Sequence, residues 1–227
     1  MGLYVRLIVF AFVPFCLSAC VTTGTNFPME RVQSIELGKT TKQELIGQLG
    51  KPEREQVFTP KKDLVGKDID STMIMQVLSY AFSDGGSNDR ILPGVTPGRW
   101  ATIYLVDDIV VGYYAGSSFK ADSSDFDTGK AGSIQKNKTT ERDVIALFGS
   151  PSGRGIYPLA SSRTGRSLFY NVVMRNSPPG SITRKDLGVQ INAIGVVEDF
   201  SVNSKIESMP VVHSPTPIYI YVPTRTR

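Results

Sequence analysis

Cys20 is the residue best placed to do covalent chemistry. It closes the tetrapeptide LSAC, Leu17 to Cys20. A thiolate is the strongest ordinary nucleophile near neutral pH. The residues before it are MGLYVRLIVFAFVPFCLSAC, with one charge, Arg6, ahead of an apolar run from Leu7 to Leu17. That run is shorter than the ~20 apolar residues a membrane helix needs, and Pro14 weakens any permanent helix through it. It has the length of a secretory h-region, followed by small residues at a cleavage position. Other groups fail as catalysts. His213 is the single histidine and lies in a Pro-rich HSPTP stretch. No Cys or His cluster has zinc-ligand spacing. Asp122, Asp125 and Asp127 miss the calcium-loop spacing, and Lys136 stands where its final glutamate belongs. Asp107-Asp108 reads as a turn, and GSPSGRG, Gly149 to Gly155, lacks the G-K-[ST] ending of a phosphate loop. The sequence offers no catalytic residue, metal or cofactor.

LSAC resembles the bacterial lipobox, Leu-small-small-Cys. That resemblance implies a covalent lipid on the Cys20 sulfur, cleavage before Cys20 and acylation of the new amino terminus. Residues 1-19 are then the signal peptide. Each buried acyl methylene adds ~0.8 kcal/mol, so two or more chains anchor stably. Val21 follows, where well-studied lipoproteins retained in the inner membrane carry aspartate. The expected address is therefore the bacterial outer membrane, facing the periplasm. The only other cysteine, Cys16, leaves with the signal, so the mature chain has no disulfide.

The mature chain is 208 residues (227 − 19) of ordinary globular composition, 41% hydrophobic and 20% charged. Its charge is asymmetric. Cys20 to Gly129 holds 11 basic and 15 acidic residues, and Lys130 to Arg227 holds 13 and 6. Such asymmetry points to two units.

A repeat supports this. IELGKTTKQELIGQLGKP (Ile35 to Pro52) aligns without gaps on IQKNKTTERDVIALFGSP (Ile134 to Pro151), 99 residues later. Seven of 18 positions are identical, where unrelated segments share about one. Thr41/Glu44 and Thr140/Asp143 fit capping boxes. Gly50 and Gly149 sit where a helix ends in a left-handed residue, and Pro52 and Pro151 forbid continuation. Strands are expected over 76–82, 101–106, 109–115, 167–175, 189–193 and 196–202, with tight hairpins at Asp107-Asp108 and Ile194-Gly195. The expected fold class is α+β: two tandem units, each a short helical segment packed on a three- or four-stranded antiparallel sheet. The expected division is a tether over 20-29, a first unit over 30-118, a linker over 119-132, a second unit over 133-208 and a C-terminal tail over 209-227.

The motif Gly38, Thr40, Glu44-Leu45, Leu49, Gly50, Pro52, followed by the aromatic strand residues Tyr80 and Phe82, resembles the SmpA/OmlA (BamE-like) family of small outer-membrane lipoproteins. The second copy keeps Thr139, Gly149 and Pro151, with Phe169 and Tyr170 in its strand, but has Asn137 in place of the first glycine. The tandem form resembles the β-lactamase-inhibitor-protein architecture, whose sheets offer a concave face. These likenesses imply a non-catalytic envelope lipoprotein that binds another protein, in outer-membrane assembly or a secretion machine. The other reading they imply is a proteinaceous enzyme inhibitor.

Two groups of residues are candidates for contact. The first hairpin is apolar on both faces, unlike a sheet with one wet side. Alternation puts Tyr104, Val111 and Tyr113 on the face turned from the helix, either beneath the second unit or a long loop, or as a partner-binding surface. In the basic half, Arg154, Arg163, Arg166, Arg184 and Lys185, with Arg175, lie in or near loops. They suit anionic lipid, cell wall or an acidic protein, or simply a solvated surface. Nucleic acid is not expected outside the cytoplasm.

Overall fold

The computed structural model describes residues 22–59, 61, 68, 73–176 and 180–208. Cys20 and His213 lie outside the described residues, as do the expected signal peptide and C-terminal tail. The elements in chain order are β1 (Thr22–Gly24), α1 (Met29–Gln33), α2 (Lys42–Leu49), β2 (Arg54–Phe58), β3 (Met75–Asp84), β4 (Val95–Thr96), β5 (Gly98–Val106) and β6 (Ile109–Ser117). A 3-10 turn (Thr128–Ser133) follows, then α3 (Glu141–Phe148), β7 (Gly153–Gly155), β8 (Arg166–Asn176), β9 (Ser181–Ile191) and β10 (Val197–Ser208).

The repeat is visible atom by atom at its helices. Thr41 accepts from the Glu44 N–H at 3.2 Å, while the Glu44 carboxylate accepts from the Thr41 N–H at 2.8 Å. Thr140 and Asp143 repeat this at 3.2 and 2.9 Å. These bonds hold both carboxyls below their usual range. Each helix is pinned to its sheet by its N-terminal loop: the Gly38 N–H donates to Val110 at 2.8 Å, and the Asn137 N–H to Val197 at 2.8 Å. Asn137 has φ 62, which asparagine tolerates, so the departure from glycine preserves the geometry. Tyr80 and Tyr170 donate to the carbonyls of Gly50 and Gly149 at 3.2 and 3.0 Å. The two glycines differ from the expected left-handed cap. They combine φ 85 and 82 with ψ −173 and −166, a region open essentially to glycine alone.

The expected fold class is corrected by the sheet. There are not two small helix-on-sheet units. There is one 10-stranded antiparallel sheet in the order β1-β3-β5-β6-β7-β8-β9-β10, with β2 also on β3 and β4 on β8. The reason is β7. Three residues, Gly-Arg-Gly, pair with Gly112–Tyr114 of β6 on one side and Ser167–Phe169 of β8 on the other. A side-chain carbon at Gly153 would stand 2.5 Å from the Tyr113 carbonyl oxygen, so glycine is what lets the strands close. Ser124 extends the seam: its hydroxyl donates to the Asn171 carbonyl and accepts from the Ser117 N–H.

Other segments differ from expectation. The tether region contains β1, paired with β3 at Thr22↔Asp84, and the buried Phe27 and Met29. The linker region buries Phe119 in the first core and Phe126 in the second. β9 begins at Ser181, eight residues ahead of the expected strand over 189–193, because it pairs along its whole length with β8 and β10. The helices and their flanking turns cover one face. Leu45, Leu78, Ile103 and Val110 share the first core, and Val144, Leu168, Val189 and Val197 the second.

Candidate functional site

The other face of the sheet carries the candidate site, and a β-bulge decides which residues reach it. Tyr104 pairs with Gly112 but Leu105 pairs with Val110, leaving Val111 as an extra residue in β6. A bulge shifts the alternation by one residue. Tyr113 therefore enters the helix-side core beside Ile103 and Leu105. Tyr104 and Val111 stay on the opposite face, in a cluster with Met75, Ile156 and Leu159. The expectation that Tyr104, Val111 and Tyr113 share one face is corrected accordingly. Leu159, from the loop between β7 and β8, covers Val111, which is buried. Burial pushes the Tyr104 and Tyr113 hydroxyls up.

Beside this cluster the face opens into a cleft of about 500 Å³ spanning both halves of the sheet. Its floor is a chain of hydrogen bonds across the seam. The Trp100 indole N–H on β5 donates to Asn171 Oδ1 on β8 at 2.9 Å. The Asn171 amide donates to the Asp186 carboxylate on β9, and so does the Tyr114 hydroxyl on β6. Asn171 is buried, with 3% of its surface exposed, so its satisfied amide fixes β5, β8 and β9 relative to one another, and the Tyr114 bond to Asp186 adds β6. Burial, then the bond to Asp186 and that carboxylate's charge, push the Tyr114 hydroxyl well above its ordinary range. Val173 and Ala81 add apolar wall, and the exposed Arg175 and Arg184 stand at the rim.

The five expected cations do not converge. Arg154 and Arg166 both pair with Glu141 at the start of α3, the former at 3.3 Å. Arg163 lies over the Tyr157 ring at 4.9 Å. Lys185 points to the helix side, where it bonds Asp125 at 2.8 Å and the Phe126 carbonyl at 3.3 Å. Arg184 alone of the five lines the cleft, where Arg175 joins it. Of the three aspartates that suggest a calcium loop, Asp122 pairs with Arg99 at 2.6 Å, Asp125 with Lys185, and Asp127 caps the 3-10 turn. Among the described residues no group of acidic, His or Cys side chains is arranged to hold a metal, and no helix is long and apolar enough to cross a membrane.

Sequence reasoning missed Trp100, Asn171 and Asp186. A signal existed for one of them: Asn171 is the one amide side chain inside SLFYNVVM, and an amide in a buried strand demands a partner.

Chemically, the floor groups are mutually engaged. What the cleft offers a ligand is aromatic and aliphatic surface with two guanidinium groups. Comparison of the chain with protein-family models, with curated proteins and with solved structures finds no match. The likeness to BamE-like lipoproteins therefore rests on the motif residues themselves.

Proposed function

We propose that this chain is a non-catalytic lipoprotein of the bacterial outer membrane, anchored through lipid on Cys20 and facing the periplasm, whose cleft binds another envelope protein. The observation that carries this reading is the composition of the cleft. Trp100, Tyr114, Arg175 and Arg184 gather in one concavity across the seam, and Trp, Tyr and Arg are the residue types that dominate protein–protein hot spots. The floor is prearranged by its own hydrogen bonds, which lowers the ordering cost of binding. LSAC supports the anchor, and the repeated helix motif supports kinship with BamE-like lipoproteins.

The test is affinity capture from detergent-solubilised envelopes, followed by mass spectrometry, with wild type and Ala81→Trp. Ala81 is exposed and lines the cleft, so the indole fills it without disturbing a core. A partner captured by wild type and lost with Ala81→Trp, at unchanged thermal stability, supports the reading. A partner retained by the filled cleft contradicts it. Absence of a fatty-acid label on wild type, in cells where Cys20→Ala serves as control, would refute the anchor.

A further inference from the structure

The two ends of the sheet are finished differently. At the first, the outer neighbours of β3 are short strands, β1 of 3 residues and β2 of 5, and short edge strands are one way that sheets avoid further pairing. At the last stands β10, 12 residues long, which among the described residues pairs with β9 alone. Its outward backbone N–H and C=O groups are a template for another strand. We propose that this strand is the β10 of a second copy, antiparallel to the first, so that two chains form a symmetric dimer with one continuous sheet.

The side chains of β10 favour β10 itself as the partner. Val202 pairs with Leu187 of β9, which pairs with Tyr170 of β8. Leu187 and Tyr170 are buried in the second core, yet Val202 is 44% exposed. Ile206, farther along the same face of the strand, is 73% exposed. An apolar row thus stops at the open edge.

The backbone limits how two such edges can meet. Alternate residues of β10 turn their N–H and C=O groups to β9, and the others turn them outward. Opposed residues in an antiparallel pair have matching orientation, so a two-fold axis relating two β10 strands passes through a residue. Centred on Ser204, the register sets Val202 of each copy opposite Ile206 of the other. Asn203 then faces Lys205 and Ser201 faces Glu207, so no like charges stand opposite. The neighbouring centres do worse. Asn203 sets Asp199 against Glu207, and Lys205 sets lysine against lysine. Val202 sets Ile206 against Glu198. Ile206 halts the pairing at Pro210, which has no N–H, and leaves Val202 unopposed. The Ser204 register runs from Phe200 to Ser208, clear of the irregularity between Val197 and Asp199. Its axis stands perpendicular to the sheet, so both copies keep their helices on one face. No residue of β10 lines the cleft. The dimer therefore leaves the cleft open, and failure of either reading leaves the other in place.

The full chain in neutral detergent is followed over a range of concentrations by sedimentation equilibrium. A monomer–dimer equilibrium is expected for wild type. It should weaken at least tenfold in Val202→Lys/Ile206→Lys, whose exposed positions leave the melting temperature unchanged. Disulfide mapping reads the register without relying on that variant. Under oxidation, Ser204→Cys should link position 204 to itself across the dimer, seen as a cross-linked peptide by mass spectrometry. A mixture of Val202→Cys and Ile206→Cys chains should link 202 to 206. Val202→Cys alone should not link, because its two sulfurs stand about 13 Å apart along the strands, beyond disulfide reach. Monomer alone at every concentration, a dimer unaffected by the two lysines, or 202–202 or 206–206 links as abundant as 204–204 overturns the proposal.

Discussion

Replacing Asn171 by leucine removes the side chain that ties β5, β8 and β9 together while keeping its branched shape. Asn171 accepts from Trp100 at 2.9 Å and donates to the Asp186 carboxylate. Its third bond, to the Lys185 carbonyl, is long at 3.4 Å. The neutral bond contributes ~1 kcal/mol and the charge-assisted one ~1.5–3 kcal/mol. The long bond is set at zero, and the gain from burying an apolar side chain at 3% exposure offsets up to about 1 kcal/mol. The expected net loss is ~1.5–4 kcal/mol, which for a chain of this size lowers Tm by roughly 3–16 °C. Urea denaturation followed by Trp100 emission measures it, with an unchanged slope because the surface exposed on unfolding is the same. Tyr114→Phe supplies the second corner of a double-mutant cycle, since both side chains bond one carboxylate. Coupling of ~0.5–3 kcal/mol is expected for such a shared partner. A loss below about 1 kcal/mol, or strict additivity with Tyr114→Phe, would refute the claim that this chain of bonds fixes the cleft floor.

Gly50→Ala and Gly149→Ala should each cost ~1–3 kcal/mol from backbone strain, less ~0.4–1 kcal/mol from the stiffer unfolded chain. Nothing lies within 4 Å of either new methyl group, so a neutral result at either site would contradict the observed dihedral angles. The two effects should add in urea titrations, because the sites share no partner. At alkaline pH the protein should lose stability progressively. Tyr80 is pushed up to about 12, chiefly by burial, and Tyr114 and Tyr170 are pushed higher, also chiefly by burial. A raised folded value gives stability that is complete below pH ~10, the unfolded tyrosine value. It is lost as pH rises from there through the folded values, at ~1.4 kcal/mol per pH unit for each such tyrosine. Urea stability that stays unchanged from about pH 9 to about pH 11.5 would contradict this.

What the sequence shows and hides follows from the range of each interaction. Thr41, Glu44, Gly50 and their partners in the second copy are readable because caps and stops act within one turn. The strand Gly153–Gly155 is invisible because it has no side-chain pattern and exists only through β6 and β8 on either side. That single unread strand turns two expected sheets into one. The bulge at Val111 hides in a hairpin apolar on both faces, where a slip of one residue changes no hydrophobic count but moves Tyr113 to the helix-side core. The first half of β9, SITRKDL, reads as loop because its side chains are mostly polar while its backbone is paired on both sides. The cleft needed all of these at once, since Trp100, Tyr114, Asn171 and Asp186 come from four strands and meet only after the seam closes.

The central claim is that the anchored chain binds its partner through the cleft. Photo-crosslinking in living cells addresses it most directly, with a photoreactive amino acid at Arg175 on the cleft rim or at Arg142, an exposed residue of α3 on the helix face. The account predicts a discrete high-mass adduct from position 175, suppressed by Ala81→Trp, and none from position 142. Adducts from position 142 alone would place the partner on the helix face and contradict the account.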